Sequence, residues 1–249
     1  MSAVARASVV IPALNEEATV ADVVAAVRAD TPLETIVVDA DSTDRTAERA
    51  AAAGARVLNW REVLPGVEPR PGKGESLWRG VAAAEGEFVV FVDADLHTAR
   101  PGMVAELVAP FADDSVQLVK ADYVRDYRGR PGDGGRVTEL TARPLLRLLL
   151  PELSDVAQPL GGEYALRRAA ALELPFVEGY GVESGLLIDV ARRWGRGAIA
   201  EVDLGRRAHR NRPLAQLGPM AETVAATILA RAGVDGVAVP ERPALSTIL

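Results

Sequence analysis

The sequence predicts an α/β fold, a Rossmann-like, mostly parallel sheet flanked by helices. Two observations predict it. Short β-branched runs alternate with longer helical patterns through the first half of the chain, which implies right-handed crossovers between parallel strands. The apolar run Phe88-Val89-Val90-Phe91-Val92 ends on Asp93-Ala94-Asp95, and carboxylates at the carboxyl end of a strand in an open α/β sheet sit where ligands collect. A length of 249 residues is enough for one large domain with a full hydrophobic core.

The elements follow in order. Residues 7–12 read as a strand, 17–29 as a helix, 34–39 as a strand, 43–53 as a helix and 56–59 as a strand. Three prolines and two glycines between Pro65 and Lys73 mark a loop, after which 74–84 is helical and 88–93 is a strand. Residues 116–123 form another strand, and 125–136, rich in charge and glycine, read as a mobile loop. Helical patterns then cover 138–150, 183–194 and 218–232. The last of these carries Leu217, Met220, Val224 and Ile228 on one face, which suits either a dimer interface or the core. Residues 233–249 have two prolines and no period, and read as a poorly ordered tail. The expected organisation is a nucleotide-sugar-binding half over 1–120, an acceptor-binding half of the same domain over 121–232, and the tail over 233–249.

Composition excludes several function classes. With 28 Lys and Arg against 35 Asp and Glu, the net charge of -7 disfavours non-specific binding to nucleic acid or acidic lipid. Aromatic residues at 4% leave few stacking platforms for single strands. The absence of cysteine removes disulfides, thiolate zinc sites and cysteine nucleophiles, and fits a cytoplasmic location. No apolar stretch reaches the roughly 18 residues of a membrane span, and the N-terminus enters a strand almost at once, so no span or secretion signal is expected.

The acidic motifs carry the chemistry. Residues two apart on a strand share a face, so Asp93 and Asp95 face the same way if the strand continues, and a Mg2+ or Mn2+ ion bridging to a diphosphate would relieve their repulsion. Turn chemistry is the alternative for this pair. Asp39 and Asp41 close the second strand, where a carboxylate can read a ribose hydroxyl or a base N–H, whereas Ser42, Thr43 and Asp44 suit the start of a helix. Asn15, Glu16 and Glu17 either cap the first helix or lie against a nucleotide. Lys73, between Gly72 and Gly74 at a helix start, suits a phosphate, although the spacing is not that of a P-loop. His209 stands among Arg206, Arg207, Arg210 and Arg212, as a solvated basic loop or as a metal-binding imidazole beside anion-binding guanidiniums.

Val10–Glu17, Val38–Asp44 and Val92–Asp95 together resemble the nucleotide-sugar half of GT-A glycosyltransferases. Gly161-Gly162-Glu163-Tyr164-Ala165, Gly179-Tyr180-Gly181-Val182-Glu183 and Arg207-Ala208-His209-Arg210-Asn211-Arg212-Pro213-Leu214 are similar to the glucosyl-3-phosphoglycerate synthases, a resemblance covering about residues 8–232. It implies transfer of glucose from a nucleotide sugar, usually UDP-glucose, to the 2-hydroxyl of 3-phosphoglycerate with retention, by an enzyme that needs Mg2+ or Mn2+; a homodimer, built on the apolar face of 218–232, is the expected assembly. By position, Pro12, Ala13, Leu14, Glu16 and Asp41 would hold uridine and Lys73 would contact the nucleotide. Asp93 would bind ribose or metal, and Asp95 and His209 would ligate the ion. Leu160, Tyr180 and Glu183 would line the glucose pocket, while Arg136, Thr138 and Asn211 would hold the phosphoglycerate. Ala94 stands where serine is expected in the family. Retention could run through Glu183 as nucleophile or by same-face attack, the second being favoured because no dedicated base is evident. An inverting transferase for a lipid phosphate or polysaccharide, a mannosyl-3-phosphoglycerate-type enzyme and an inactive nucleotide-binding module are the alternatives.

Overall fold

The computed structural model describes residues 2–127, 130–131, 135–208 and 214–249. The first half builds β1 (Ala7–Ala13), α1 (Val20–Arg28), β2 (Glu34–Asp39), α2 (Thr46–Ala52), β3 (Arg56–Asn59), α3 (Lys73–Ala83), β4 (Phe88–Phe91) and α4 (Met103–Val108). The second half adds β5 (Leu118–Tyr127), β6 (Arg130–Pro131), α5 (Arg143–Leu149), β7 (Tyr164–Arg167), α6 (Arg168–Leu172), β8 (Phe176–Val177), α7 (Val182–Trp194), β9 (Ile199–Ala208), α8 (Leu214–Arg231) and β10 (Glu241–Arg242). The main sheet has the order β3-β2-β1-β4-β7-β5-β6, with β9 beside β5. The first four strands are parallel, β7 runs antiparallel between β4 and β5, and β9 is parallel to β5.

Both faces of this sheet are covered, which explains strands without polar alternation. Val10, Val38, Val89 and Phe91 point to one face, under Leu77 and Trp78 of α3, Leu186 and Leu187 of α7, and Val224 and Ile228 of α8. Their neighbours Val9, Ile11, Val37 and Val90 point to the other, under Val23, Val24 and Val27 of α1 and Val104 and Leu107 of α4. The apolar face of α8 is therefore taken up inside this chain. Among the described residues no helix is long and apolar enough to cross a membrane.

Three expectations are corrected. The first two helices start three residues late, because the loops that precede them are bound to each other. The Asn15 side-chain oxygen accepts the Thr43 amide at 2.8 Å, its own amide donates to Ser42 Oγ at 3.0 Å, and the Glu16 amide donates to Thr46 Oγ1 at 2.8 Å. Asn15 holds the left-handed φ of 57° that this needs, which asparagine tolerates. Of the segment expected as a mobile loop, residues 125–127 instead continue β5 and Arg130–Pro131 form β6, while 128–129 and 132–134 lie outside the described residues.

The tail is also not loose. Glu241 and Arg242 pair with Val177 and Phe176. Arg242 grips buried Glu75 of α3 through Nε at 2.6 Å and Nη2 at 2.9 Å, the Trp78 indole donates to the Pro243 carbonyl at 2.9 Å, and Leu245 is fully buried. A bidentate guanidinium against a fully buried carboxylate ties this segment to α3 far more firmly than its composition suggests.

Candidate active site

A cleft of about 780 Å3 opens past the carboxyl ends of the parallel strands. Pro12 and Ala13 at the end of β1, with Leu14 and Glu16 just after it, form its edge; Ala40 and Trp60 follow β2 and β3; Lys73 and Ser76 come from the start of α3; and Asp93, Ala94 and Asp95 follow β4. The opposite wall is Arg136, Val137, Thr138, Leu160, Tyr180, Glu183, Arg207, Leu217 and Met220. Thr138 opens a π-helical turn, Thr138–Ala142, that runs into α5; such turns widen a helix locally and recur at functional sites.

At the floor lies a chain of buried charges. Lys73 Nζ stands 2.5 Å from Asp93 Oδ1 and 2.6 Å from Glu183 Oε1. Arg207 joins the other side of Asp93 at 3.1 Å to Glu163 at 2.7 Å, and donates to the Tyr123 hydroxyl at 3.0 Å. Burial alone would push the Asp93 carboxyl up, yet Lys73 and Arg207 hold it well below the ordinary carboxylate range. Burial disfavours the Lys73 ammonium, but Asp93 and Glu183 keep it protonated well above the normal lysine range. For Glu163 burial prevails over Arg207, and its carboxyl is raised.

Glycine permits two of these approaches. A Cβ on Gly162 would lie 2.2 Å from Asp93 Oδ2, so the backbone of the 160–162 turn presses directly on that carboxylate. A Cβ on Gly74 would lie 2.0 Å from the Val177 carbonyl oxygen, so the start of α3 seats against β8. Gly74 thus has a packing reason independent of phosphate.

The structure brings most of the expected residues into this one cleft, and sets some apart. β4 ends at Phe91, so the strand geometry that would align Asp93 and Asp95 does not persist. Asp95 lines the cleft, while both oxygens of Asp93 are engaged by Lys73 and Arg207. Asp41, also left-handed with φ 63°, stands outside the lining. Its carboxylate takes Asn59 Nδ2 at 3.0 Å and Arg61 Nε at 2.9 Å, bonds that lower it to about 2. His209 and Asn211 lie outside the described residues.

Sequence reading missed Trp60, Glu163, Arg207 as a buried residue, and Lys120, which lies beneath the same floor with its Nζ on the Gly161 carbonyl at 2.6 Å. One signal was available: of 28 basic residues only two, Lys73 and Lys120, are lysines.

For a divalent cation, the described residues contain no cluster of three or more acidic or imidazole groups that could hold one. Asp95, which lines the cleft, is the carboxylate that could hold one there together with diphosphate and water oxygens, the hard donors Mg2+ and Mn2+ prefer.

A mostly parallel sheet with acidic loops over a cleft of this size defines a glycosyltransferase of the GT-A type, and residues 8–173 match glycosyl transferase family 2. Glucosyl-3-phosphoglycerate synthase of Mycolicibacterium paratuberculosis is 52% identical over 241 residues, covering 91% of this chain and 72% of the relative; that of Petrotoga mobilis is 41% identical over 235 residues, covering 90% and 72%. The crystal structure of glucosyl-3-phosphoglycerate synthase from Mycobacterium tuberculosis in complex with Mn2+, UDP-glucose and phosphoglyceric acid superposes with a TM-score of 0.90 at 48% identity, covering 98% of this chain and 91% of that one. The chain belongs to the glucosyl-3-phosphoglycerate synthase family.

Proposed function

We propose that this protein transfers glucose from UDP-glucose to the 2-hydroxyl of 3-phosphoglycerate with retention, giving glucosyl-3-phosphoglycerate. The observation that carries the reading is a single cleft that joins Pro12–Glu16 at its nucleotide end to Arg136 and Thr138 at its far wall, with Lys73, Asp93, Asp95 and Glu183 between them. The similar M. tuberculosis enzyme binds Mn2+ with UDP-glucose and phosphoglyceric acid, and in another complex Mn2+ with UDP and glucosyl-3-phosphoglycerate.

In this reading Pro12, Ala13, Leu14 and Glu16 hold uridine, and Leu160, Tyr180 and Glu183 line the glucose pocket. Arg136 and Thr138, with Asn211, hold the phosphoglycerate. Asp95 and His209 hold Mg2+ or Mn2+, which when bound neutralises charge on the diphosphate. Lys73 and Arg207 add preorganised positive charge on the same side, where electrostatic stabilisation of a leaving group commonly contributes most to the rate. Glu183 is buried and tied to Lys73, which leaves its carboxylate poorly placed as a free nucleophile and supports same-face attack. In that step the C1–O bond to the β-phosphate breaks as the C1–O bond to the acceptor forms, and the acceptor hydroxyl proton passes to the departing phosphate oxygen.

The test is a donor-by-acceptor matrix with Mn2+, pairing UDP-, GDP- and ADP-glucose and GDP-mannose with 3-phosphoglycerate and other phosphorylated acceptors, with the product anomer read by NMR. Turnover of UDP-glucose with 3-phosphoglycerate to an α-glucoside is expected. Turnover restricted to another acceptor, or a β product, overturns the assignment.

A further inference from the structure

Both lysines of this arginine-rich chain end in the buried floor of the cleft, yet they do different things. Lys73 reaches carboxylates on the cleft side. Lys120, on β5 and 1% exposed, meets a carbonyl and a ring face: its Nζ donates to the Gly161 oxygen at 2.6 Å and lies 4.5 Å from the centre of the Tyr164 ring. That carbonyl belongs to the turn that supplies Leu160 to the cleft and presses Gly162 on Asp93. Counting formal charge, the floor sets three cations, Lys73, Lys120 and Arg207, against three carboxylates, Asp93, Glu163 and Glu183.

We propose that Lys120 is a positioning residue for glucosyl transfer: its ammonium clamps the Gly161 carbonyl so that the 160–162 turn holds Asp93 and Leu160 in place, and it completes the buried charge balance. The inference deepens the reading of this site as a UDP-glucose transferase. A carbonyl is held far more firmly by an ammonium than by the weakly donating neutral amine, so the clamp is strong only while Lys120 carries its extra proton. Burial pulls that proton's affinity down to about 8, against the opposing fields of Glu183 and Glu163. The groups facing Lys120 are Glu163 and Tyr164 from the β7 side, Glu183 from α7, Lys73 from α3, Asp93 after β4 and Glu201 from β9, with Arg207 behind them on Glu163. Lys73, Tyr164 and Arg207 are all held protonated well above their ordinary ranges, so none of them competes for the alkaline step. Glu201 is committed to the Ala157 amide at 2.7 Å.

The experiment exploits the scarcity of lysine. Protein labelled with 13C-lysine gives two sets of side-chain signals, assigned with Lys120→Arg. From about pH 6 to about pH 10 the Lys120 signal is expected to titrate near 8 while Lys73 stays protonated, with the backbone amides of Gly161 and Gly162 following the same midpoint. kcat/KM of the wild type should fall with that midpoint. Lys120→Met should lose at least about tenfold in kcat/KM and lack the alkaline limb. Lys120→Arg should recover turnover relative to Lys120→Met and also lack the limb.

A Lys120 signal that titrates like a free lysine, amides of Gly161 and Gly162 indifferent to it, or a Lys120→Met enzyme with wild-type constants and an unchanged limb would overturn the proposal. Should Lys120→Met fail to fold, the wild-type titration and Lys120→Arg decide. Should UDP-glucose and 3-phosphoglycerate give no turnover, the functional reading fails while the NMR titration still judges the clamp.

Discussion

Arg207→Met tests whether the buried charges act as one network. The guanidinium gives up a 2.7 Å bond to Glu163, a 3.1 Å bond to Asp93 and a 3.0 Å bond to the Tyr123 hydroxyl, in surroundings where Arg207 and Glu163 are almost completely buried. Asp93 keeps Lys73, but Glu163 is left without its paired cation, and one of its oxygens is already buried without a hydrogen-bond partner. Removing one partner of a buried pair costs about 3–5 kcal/mol, because the other charge stays behind. For a chain of this size that corresponds to a fall in Tm of roughly 10 °C.

The pH dependence carries a sign. The Glu163 carboxyl is raised already, and loss of Arg207 raises it further. Between the unfolded and folded values the native state binds more protons, so stability falls as pH rises through that window. The deficit of Arg207→Met should therefore be smallest in mild acid, where a proton neutralises Glu163, and largest above neutrality. Urea unfolding followed by circular dichroism over that pH range measures it. A deficit below about 1 kcal/mol, or one that does not change with pH, would refute the reasoning.

Other perturbations reach the same site from different directions. Gly162→Ala drives a methyl into the Asp93 carboxylate and should cost about 1–3 kcal/mol of stability and roughly a hundredfold in kcat/KM, read by thermal melting and steady-state assay; an unchanged rate would show that Asp93 does not need its present position. Chelation should abolish wild-type turnover and added Mn2+ or Mg2+ restore it, whereas Asp95→Ala should stay folded and gain little from either ion; full metal-dependent activity in that variant removes Asp95 as a ligand. Arg242→Met should destabilise the fold by about 3 kcal/mol in urea and raise KM for the donor through movement of α3, and an unaffected KM would separate the terminal segment from the site.

Local patterns carried the fold well where each element makes its own case. β2 and β3 begin and end where β-branched runs meet Asp39 and Asn59, and the alternation of strands and helices anticipated the parallel half. Boundaries failed where distant segments decide them: α1 and α2 start late because Asn15–Glu17 and Ser42–Thr46 bind across some 28 residues. At the site, motif likeness led to Glu183, Lys73 and Asp95, but it could not foretell that Asp93 turns inward, since that depends on Arg207, which is 114 positions away. Glu163 and Lys120 escaped for the same reason. A lysine in an apolar strand looks ordinary until the sheet order sets it under the Gly161 carbonyl.

The grip of Arg242 on Glu75 spans 167 residues and has a consequence for the order in which the molecule assembles. The helix that presents Lys73 belongs to the early, locally wound part of the chain, yet its buried carboxylate finds its second cation only after residue 242 has been made. Contacts so distant in sequence are slow to close and form late. During synthesis the sheet of the first half can therefore condense while the end of α3 at the cleft still lacks its brace, so donor-binding competence should emerge as one of the last events of folding. Ligand binding to refolding intermediates would then lag behind the recovery of helical and sheet structure.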